Sequence, residues 1–168
     1  MHTFQPVPTN LFDFNPFQTI GKEWMLITVE TNDKINTMTA SWGGFGVMWG
    51  KDVAYIVIRD SRYTKELIDQ SETFSLSFLN SDYQSTLKYL GAVSGRDEDK
   101  ITNARLHVNY HEEIPFIDEA STVMVCKKMC HQPLEKEQFS MDSIVTKWYP
   151  HDDYHTLYIG EIISLLAR

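Results

Sequence analysis

The chain of 168 residues has a mass of 19.5 kDa, which is the size of one domain with a single hydrophobic core. Its composition, 42% hydrophobic and 23% charged, excludes wholesale disorder, and no uncharged apolar stretch is long enough to span a membrane. With 15 Lys plus Arg against 23 Asp plus Glu, the net charge of -8 argues against sequence-independent binding of nucleic acid. The N-terminal residues lack the pattern of a secretion signal and there are only two cysteines, so we expect one cytoplasmic domain.

Residues 1–20 contain three prolines and scattered aromatic side chains, which predicts an extended arm with little regular structure. Residues 24–31 are rich in β-branched side chains and end at the turn-like pair Asn32-Asp33, so they are predicted to form a strand. Small and hydroxyl side chains in residues 36–46 favour a strand or a loop. The almost wholly apolar run 52–58 is typical of a strand that is covered on both faces.

A short helix is predicted next, beginning at Ser61, because Leu67 and Ile68 follow at helical spacing. Residues 74–79 alternate between apolar side chains and serines, which predicts a strand with one apolar face. The remaining predicted elements are a short helix at 83–90, a loop or helix start at 94–101, and strands at 108–114, 121–128 and 154–166, the last bent at Gly160.

These elements have no alternating rhythm of strand and helix, and no linker or internal repeat divides them. Many short strands with a few small helices are typical of a mostly antiparallel barrel or sandwich. The sequence therefore predicts one mainly β domain over residues 1–168 with helical insertions.

The junction between the predicted strand 52–58 and the following helix carries Arg59, Ser61, Arg62, Tyr63 and Thr64. A helix start offers free backbone N–H groups, and guanidinium and hydroxyl groups complete a phosphate site there. The alternative is that Ser61 only caps the helix and that both arginines pair with acids at the surface.

A second cluster offers a hydroxyl, an unobstructed N–H and two cations, from Ser94, Gly95, Arg96 and Lys100. It suits a phosphate or a flavin carbonyl, although a solvated charged loop explains it as well. A third segment, residues 36–42, leaves backbone groups accessible between small side chains, and its Trp42 is suited either to wall a planar ring or to pack in the core.

Four segments together carry a specific resemblance: NTMTASW at 36–42, RDSRYT at 59–64, SGRDEDK at 94–100 and HTLYIGEI at 155–162. In order and spacing they resemble the flavin reductase-like family of FMN-binding split barrels, the branch typified by flavoredoxin. The resemblance is best over residues 24–100 and 154–162, and residues 101–150 contribute little to it.

The resemblance implies a largely antiparallel split β-barrel with a few short helices, a homodimer and one FMN per subunit. It implies an oxidoreductase that moves electrons from NAD(P)H or a protein donor through FMN to a flavin, ferric or protein acceptor. By family analogy, the FMN-binding residues are Asn36, Met38, Thr39, Ala40, Ser41, Trp42, Arg59, Ser61, Arg62, Tyr63, Thr64, Ser94, Gly95, Arg96, Lys100 and His155. His155 is also the catalytic candidate, since an imidazole with a pKa near neutrality donates a hydrogen bond or a proton near the ring, although packing on the ring edge is its simpler role.

One position departs from the family pattern, because Asp60 follows Arg59 where the family often has proline. An acid beside a phosphate weakens binding unless it points away and caps the helix. The relative roles of Arg59 and Arg62 therefore stay open.

Two other classes of protein stay open beside the oxidoreductase. The first is an FMN-binding electron carrier that does not turn over NAD(P)H. The second is a metal-binding domain built on Cys126, Cys130 and His131 with His151 and His155, although the apolar residues before Cys126 make a buried thiol the simpler account. His107 and His111 are predicted to be surface residues.

Overall fold

The computed structural model describes residues 1–32 and 34–168, so Asp33 of the predicted turn lies outside the described residues. The strands are β1 (Gln5–Pro6), β2 (Met25–Thr31), β3 (Lys34–Ala40), β4 (Gly43–Met48), β5 (Lys51–Arg59), β6 (Thr73–Phe78), β7 (Val108–His111), β8 (Ile114–Ile117), β9 (Thr122–Pro133) and β10 (His155–Ala167). The α-helices are α1 (Pro16–Gln18), α2 (Tyr63–Gln70), α3 (Gln84–Ala92), α4 (Lys100–Asn103) and α5 (Asp142–Trp148). Single helical turns lie at Thr9–Leu11, Thr19–Glu23, Ser81–Tyr83 and Lys136–Gln138.

The sheet runs in the order β3-β2-β6-β9-β10-β5-β4, and every neighbouring pair in it is antiparallel. The short strand β1 pairs with β10, and β7 and β8 form a separate hairpin. The predicted mainly β, antiparallel fold with short helices is therefore confirmed. Among the described residues, no helix is both long and apolar enough to cross a membrane.

Apolar clusters pack on both faces of the sheet. Strand β6 is therefore buried on both faces, although its alternating sequence predicted only one apolar face. Phe74 and Leu76 pack in one apolar cluster, as predicted. Ser75 and Ser77 are fully buried as well, because the hairpin of β7 and β8 covers them. The Ser75 hydroxyl donates to the carbonyl of Pro115 at 2.6 Å, so both serines are satisfied away from water.

Strand β10 crosses the sheet centre and pairs with both β9 and β5. Its predicted bend is present as a register shift against β9 between Ile159 and Gly160. A Cβ at Gly160 would lie 2.8 Å from the Phe74 ring and 3.1 Å from Cβ of Cys126. The bend therefore occurs where only a glycine fits against the core.

Two predictions about local structure are wrong, and one helix was not predicted. The arm is more regular than expected, since it contains β1, α1 and two single helical turns, and Asn15 caps α1 through its side chain. Helix α2 begins at Tyr63 rather than at Ser61, whose hydroxyl instead donates to Asp153. The segment 134–154 contains α5, whose residues are exposed or half-buried and so give no helical periodicity of apolar side chains.

Candidate functional site

Two adjoining cavities of about 290 and 150 Å³ form one groove, and they share Met38 and Arg62. The larger is lined by Met38, Thr39, Ala40, Ser41, Trp42, Val57, Arg59, Arg62, Trp148 and His155. The smaller is lined by Asn36, Met38, Ser61, Arg62, Tyr63, Thr64, Val93, Ser94, Gly95, Arg96 and Lys100. The structure thus brings every residue of the predicted site into one continuous groove.

The sheet explains how segments far apart in sequence meet in this groove. Antiparallel pairing of β10 with β5 places His155 directly opposite Arg59. Strand β3 lies at the edge of the sheet, so one side of its backbone is available to a ligand or to the helices that follow. Helix α3 packs against it, where the hydroxyl of Thr39 donates to the carbonyl of Leu87 at 2.6 Å.

The larger cavity is aromatic. The rings of Trp42 and Trp148 meet edge to face with centroids 4.9 Å apart, and the Trp42 ring lies 5.0 Å from that of His155. Trp42 stays 37% exposed, so its ring forms part of the accessible wall rather than the core. This end of the groove is therefore suited to a flat, largely apolar ring.

His155 is buried, with Nδ1 2.8 Å from the hydroxyl of Tyr149. Burial, reinforced by the positive charge of Arg59, lowers the pKa of His155 to about 4. This lowering of the pKa from its unperturbed value could not be derived from the sequence, which does not show how much solvent the fold removes from the imidazole. At neutral pH His155 is uncharged, so it offers a hydrogen bond rather than a readily transferred proton.

The lowered pKa of His155 predicts a specific dependence of stability on pH. Unfolded His155 takes up a proton below its ordinary pKa of 6.5, whereas the folded protein does so only near pH 4, so its contribution to the free energy of unfolding is lost between these values on acidification. Urea denaturation at pH 7.5 and 5 should therefore show a larger loss for the native protein than for His155→Gln. Equal losses in the two proteins would contradict the buried, neutral imidazole.

The smaller cavity carries the cations and the tightest backbone. Lys100 is 4% exposed, and its ammonium donates to the carbonyls of Leu90 and Val93 at 2.9 and 3.2 Å. Burial and the nearby Arg62 lower the pKa of Lys100 to about 8. A Cβ at Gly95 would lie 2.3 Å from Oδ1 of Asn36, so the loop passes too close to this side chain for any residue but glycine to fit without a shift.

Several predicted anion ligands already have partners within the protein. The Arg59 guanidinium donates to the carbonyls of Asp153 and Trp148 at 2.7 and 3.0 Å. Ser61 donates through its amide and its hydroxyl to the Asp153 carboxylate. Arg96 pairs with Glu66, which leaves Arg62 as the arginine of the groove with the weakest internal contact, 3.4 Å to the carbonyl of Gly91.

Asp60 is not among the residues that line the groove. Its Oδ1 accepts a hydrogen bond from the hydroxyl of Thr156 at 2.9 Å, on the neighbouring strand β10. It does not cap α2, which has Arg62 at the N-cap position. The aspartate that departs from the family pattern is therefore bound by a side chain of β10.

Trp148, Tyr149 and Asp153 were not predicted from the sequence, and all three come from the segment between β9 and β10. The segment has no phosphate or metal motif, and its helix is exposed. A signal within it is the adjacent pair Trp148-Tyr149. Large aromatic side chains of this kind contribute much of the buried area where a segment packs on the rest of a protein.

The cysteines and the remaining histidines lie outside the groove. Cys126 is fully buried in the core, where desolvation raises the pKa of its thiol, whereas Cys130 is exposed. Among the residues that the structure describes, no cluster of three or more His, Cys, Asp or Glu side chains is arranged to hold a metal ion. The exposed His107 ring pairs with Glu119, and His111 is half-buried against Ser164.

Known proteins resemble this chain in both sequence and fold. The family described as "Flavin reductase like domain" matches residues 17–168. Flavoredoxin from Methanosarcina acetivorans is 24% identical with a TM-score of 0.67, over 87% of this chain and 68% of that one. An FMN-binding domain of a flavin reductases-like enzyme from Shewanella baltica is 17% identical with a TM-score of 0.71, over 98% and 77% of the chains.

An NADH:FAD oxidoreductase from Streptomyces globisporus is 17% identical with a TM-score of 0.64, over 87% of this chain and 75% of that one. At these identities the structural likeness shows the fold alone. No curated protein matches the chain.

Proposed function

Because the chain belongs to the flavin reductase-like family, we propose that it is an oxidoreductase that binds FMN in the groove. It passes electrons from NAD(P)H or a protein donor to a flavin, ferric or protein acceptor. The observation that carries the proposal is that the two ends of the groove differ in chemistry. One end is an aromatic cavity, and the other is a cavity lined by cations, hydroxyls and amides. That arrangement matches a molecule with a flat ring at one end and a phosphate at the other.

The donor set fits FMN at the phosphate end. Arg62 and Lys100 supply charge, Thr64 supplies a hydroxyl, and Gly95 brings the loop so close to Asn36 that a side chain would not fit between them. Trp42 and Trp148 would flank the ring and exclude water from it. When bound, FMN supplies hydride and single-electron transfer through its isoalloxazine ring.

The protein's own residues orient the ring and set the charge around it. His155, uncharged at neutral pH, would present a hydrogen bond at the ring without adding a positive charge. Backbone N–H groups of Thr39 to Ser41, which line the aromatic cavity, would stabilise negative charge on the flavin ring. Arg59 would act indirectly, because it holds Trp148 and Asp153 against the groove.

Anaerobic addition of NADH, and then NADPH, to the FMN-loaded protein tests the proposal. Rapid bleaching of the flavin absorbance is expected with one or both nucleotides. Persistent colour that a chemical reductant then bleaches would instead assign the protein as an electron carrier. Failure to bind FMN in a titration would contradict both functions.

The proposal includes a homodimer. It is supported by an apolar cavity that shares Ser41 and Trp42 with the groove and is also lined by Phe17 and Tyr55. Phe17 is 86% exposed and Tyr55 is 42% exposed, so this cavity adds exposed aromatic surface that a second subunit would cover. Sedimentation equilibrium is expected to give twice the 19.5 kDa mass of one chain, and a mass of one chain at micromolar concentration would contradict the dimer.

A further inference from the structure

A carboxylate of the protein already binds donors of Ser61, a residue that lines the anion-binding end of the groove. Oδ1 of Asp153 accepts a hydrogen bond from the amide of Ser61 at 3.1 Å, and Oδ2 accepts one from the Ser61 hydroxyl at 2.6 Å. An amide and a hydroxyl between a strand and a helix are the donors that phosphate oxygens favour. Asp153 therefore satisfies the donors that a bound phosphate would use on Ser61.

The contact is held in place from a second side. Arg59 donates to the carbonyl of Asp153 itself and to that of Trp148, which ties down the chain on both sides of Tyr149. Asp153 is half-buried rather than free in solvent. Its carboxylate is consequently a fixed negative charge beside the donor set and not a mobile surface group.

Most cations of the groove are engaged with other groups of the protein. Arg96 donates to the carbonyl of Ser61, but its guanidinium is shared with the carboxylate of Glu66. Arg59 and Lys100 each donate to two backbone carbonyls, which leaves Arg62 as the cation with the weakest internal contact to attract an incoming phosphate dianion. A like charge within a few ångströms of that dianion opposes its binding.

Resting on the proposed function, we propose that Asp153 acts as an internal anion that competes with the flavin phosphate for Ser61. It makes the site less selective for FMN over riboflavin than the donors alone would be, and it keeps FMN exchangeable. Binding of FMN either displaces the Asp153 carboxylate or leaves the Ser61 donors unused. In both cases part of the phosphate's binding free energy is lost.

The test compares the native protein with Asp153→Asn, which removes the charge and keeps the size of the side chain. FMN and riboflavin are titrated separately and followed by flavin fluorescence. FMN is expected to bind about tenfold more tightly to the variant and to dissociate correspondingly more slowly, because a repulsive charge has gone. Riboflavin, which has no phosphate, is expected to bind both proteins equally.

Asp152→Asn is the matched control, since it changes the net charge equally at the neighbouring position, where the carboxylate accepts from the Tyr154 hydroxyl instead. Its FMN affinity should rise much less. Unchanged or weaker FMN binding by Asp153→Asn would overturn the proposal, and weaker binding of both flavins would show that Asp153 only positions the segment. Native protein that binds neither flavin would instead refute the proposed function.

Discussion

Replacement of Arg62 by alanine is expected to weaken FMN binding about 30-fold, which corresponds to the roughly 2 kcal/mol of one charge-assisted contact. Arg62 lines both cavities of the groove, and its guanidinium makes one long internal contact, to the carbonyl of Gly91. It is therefore free to bind a ligand, whereas Arg59 is engaged with two carbonyls. Fluorescence titration with FMN measures the effect.

Two comparisons make the Arg62→Ala result specific. Riboflavin affinity should stay close to the native value, because the lost contact is to the phosphate. Lys88→Ala removes an exposed cation from α3, outside the residues that line the groove, and should leave FMN affinity unchanged. FMN affinity that is the same in Arg62→Ala and the native protein would refute the role given to Arg62.

Gly95→Ala is expected to damage both the groove and the fold. The added methyl would lie 2.3 Å from Oδ1 of Asn36 and 3.1 Å from the Tyr63 ring, and Asn36 is buried with its amide donating to Thr64 at 2.8 Å. Relief of this overlap requires Asn36 to move and that hydrogen bond to break. Overpacking of this kind costs about 1–3 kcal/mol, so the urea midpoint should fall and FMN affinity should drop about tenfold or more.

Gly46→Ala provides the control for Gly95→Ala, since a Cβ at Gly46 would stand in open space on the edge strand β4. Its stability and FMN affinity should match those of the native protein. A double-mutant cycle adds Asn36→Ala, which removes the overlapping side chain. Gly95→Ala should then cost much less than it does alone, and an equal cost in both backgrounds would rule out the Asn36 overlap as the cause.

The parts of the fold and site that could be predicted are those that depend on a short, continuous stretch of sequence. Strands β5 and β6 are continuous or alternating apolar runs, and the residues from Arg59 to Thr64 carry their anion-binding chemistry within six positions. Their position between a strand and a helix could be derived locally, and the structure places all of them except Asp60 in the groove. The FMN ligands themselves stay a prediction.

The rest depends on partners that are distant in sequence. Ser61 does not cap α2 because a carboxylate 92 residues away binds its amide and hydroxyl. The pKa of His155 is low because the fold buries it near Arg59, on the strand paired with its own. Helix α5 was not predicted because a helix is recognised by the regular spacing of apolar side chains on its buried face. The residues of α5 are exposed or half-buried, so this spacing is missing.

The segment 134–154, between β9 and β10, shapes the wall of the groove but contributes little to the core that stabilises the sheet. It supplies Trp148, which closes the aromatic cavity, yet the apolar clusters of the core are built from other parts of the chain. Substitutions on the solvent side of this segment can accumulate without lowering the stability of the sheet. Natural selection or protein engineering can therefore change which molecules reach the groove by changing the sequence of this segment alone.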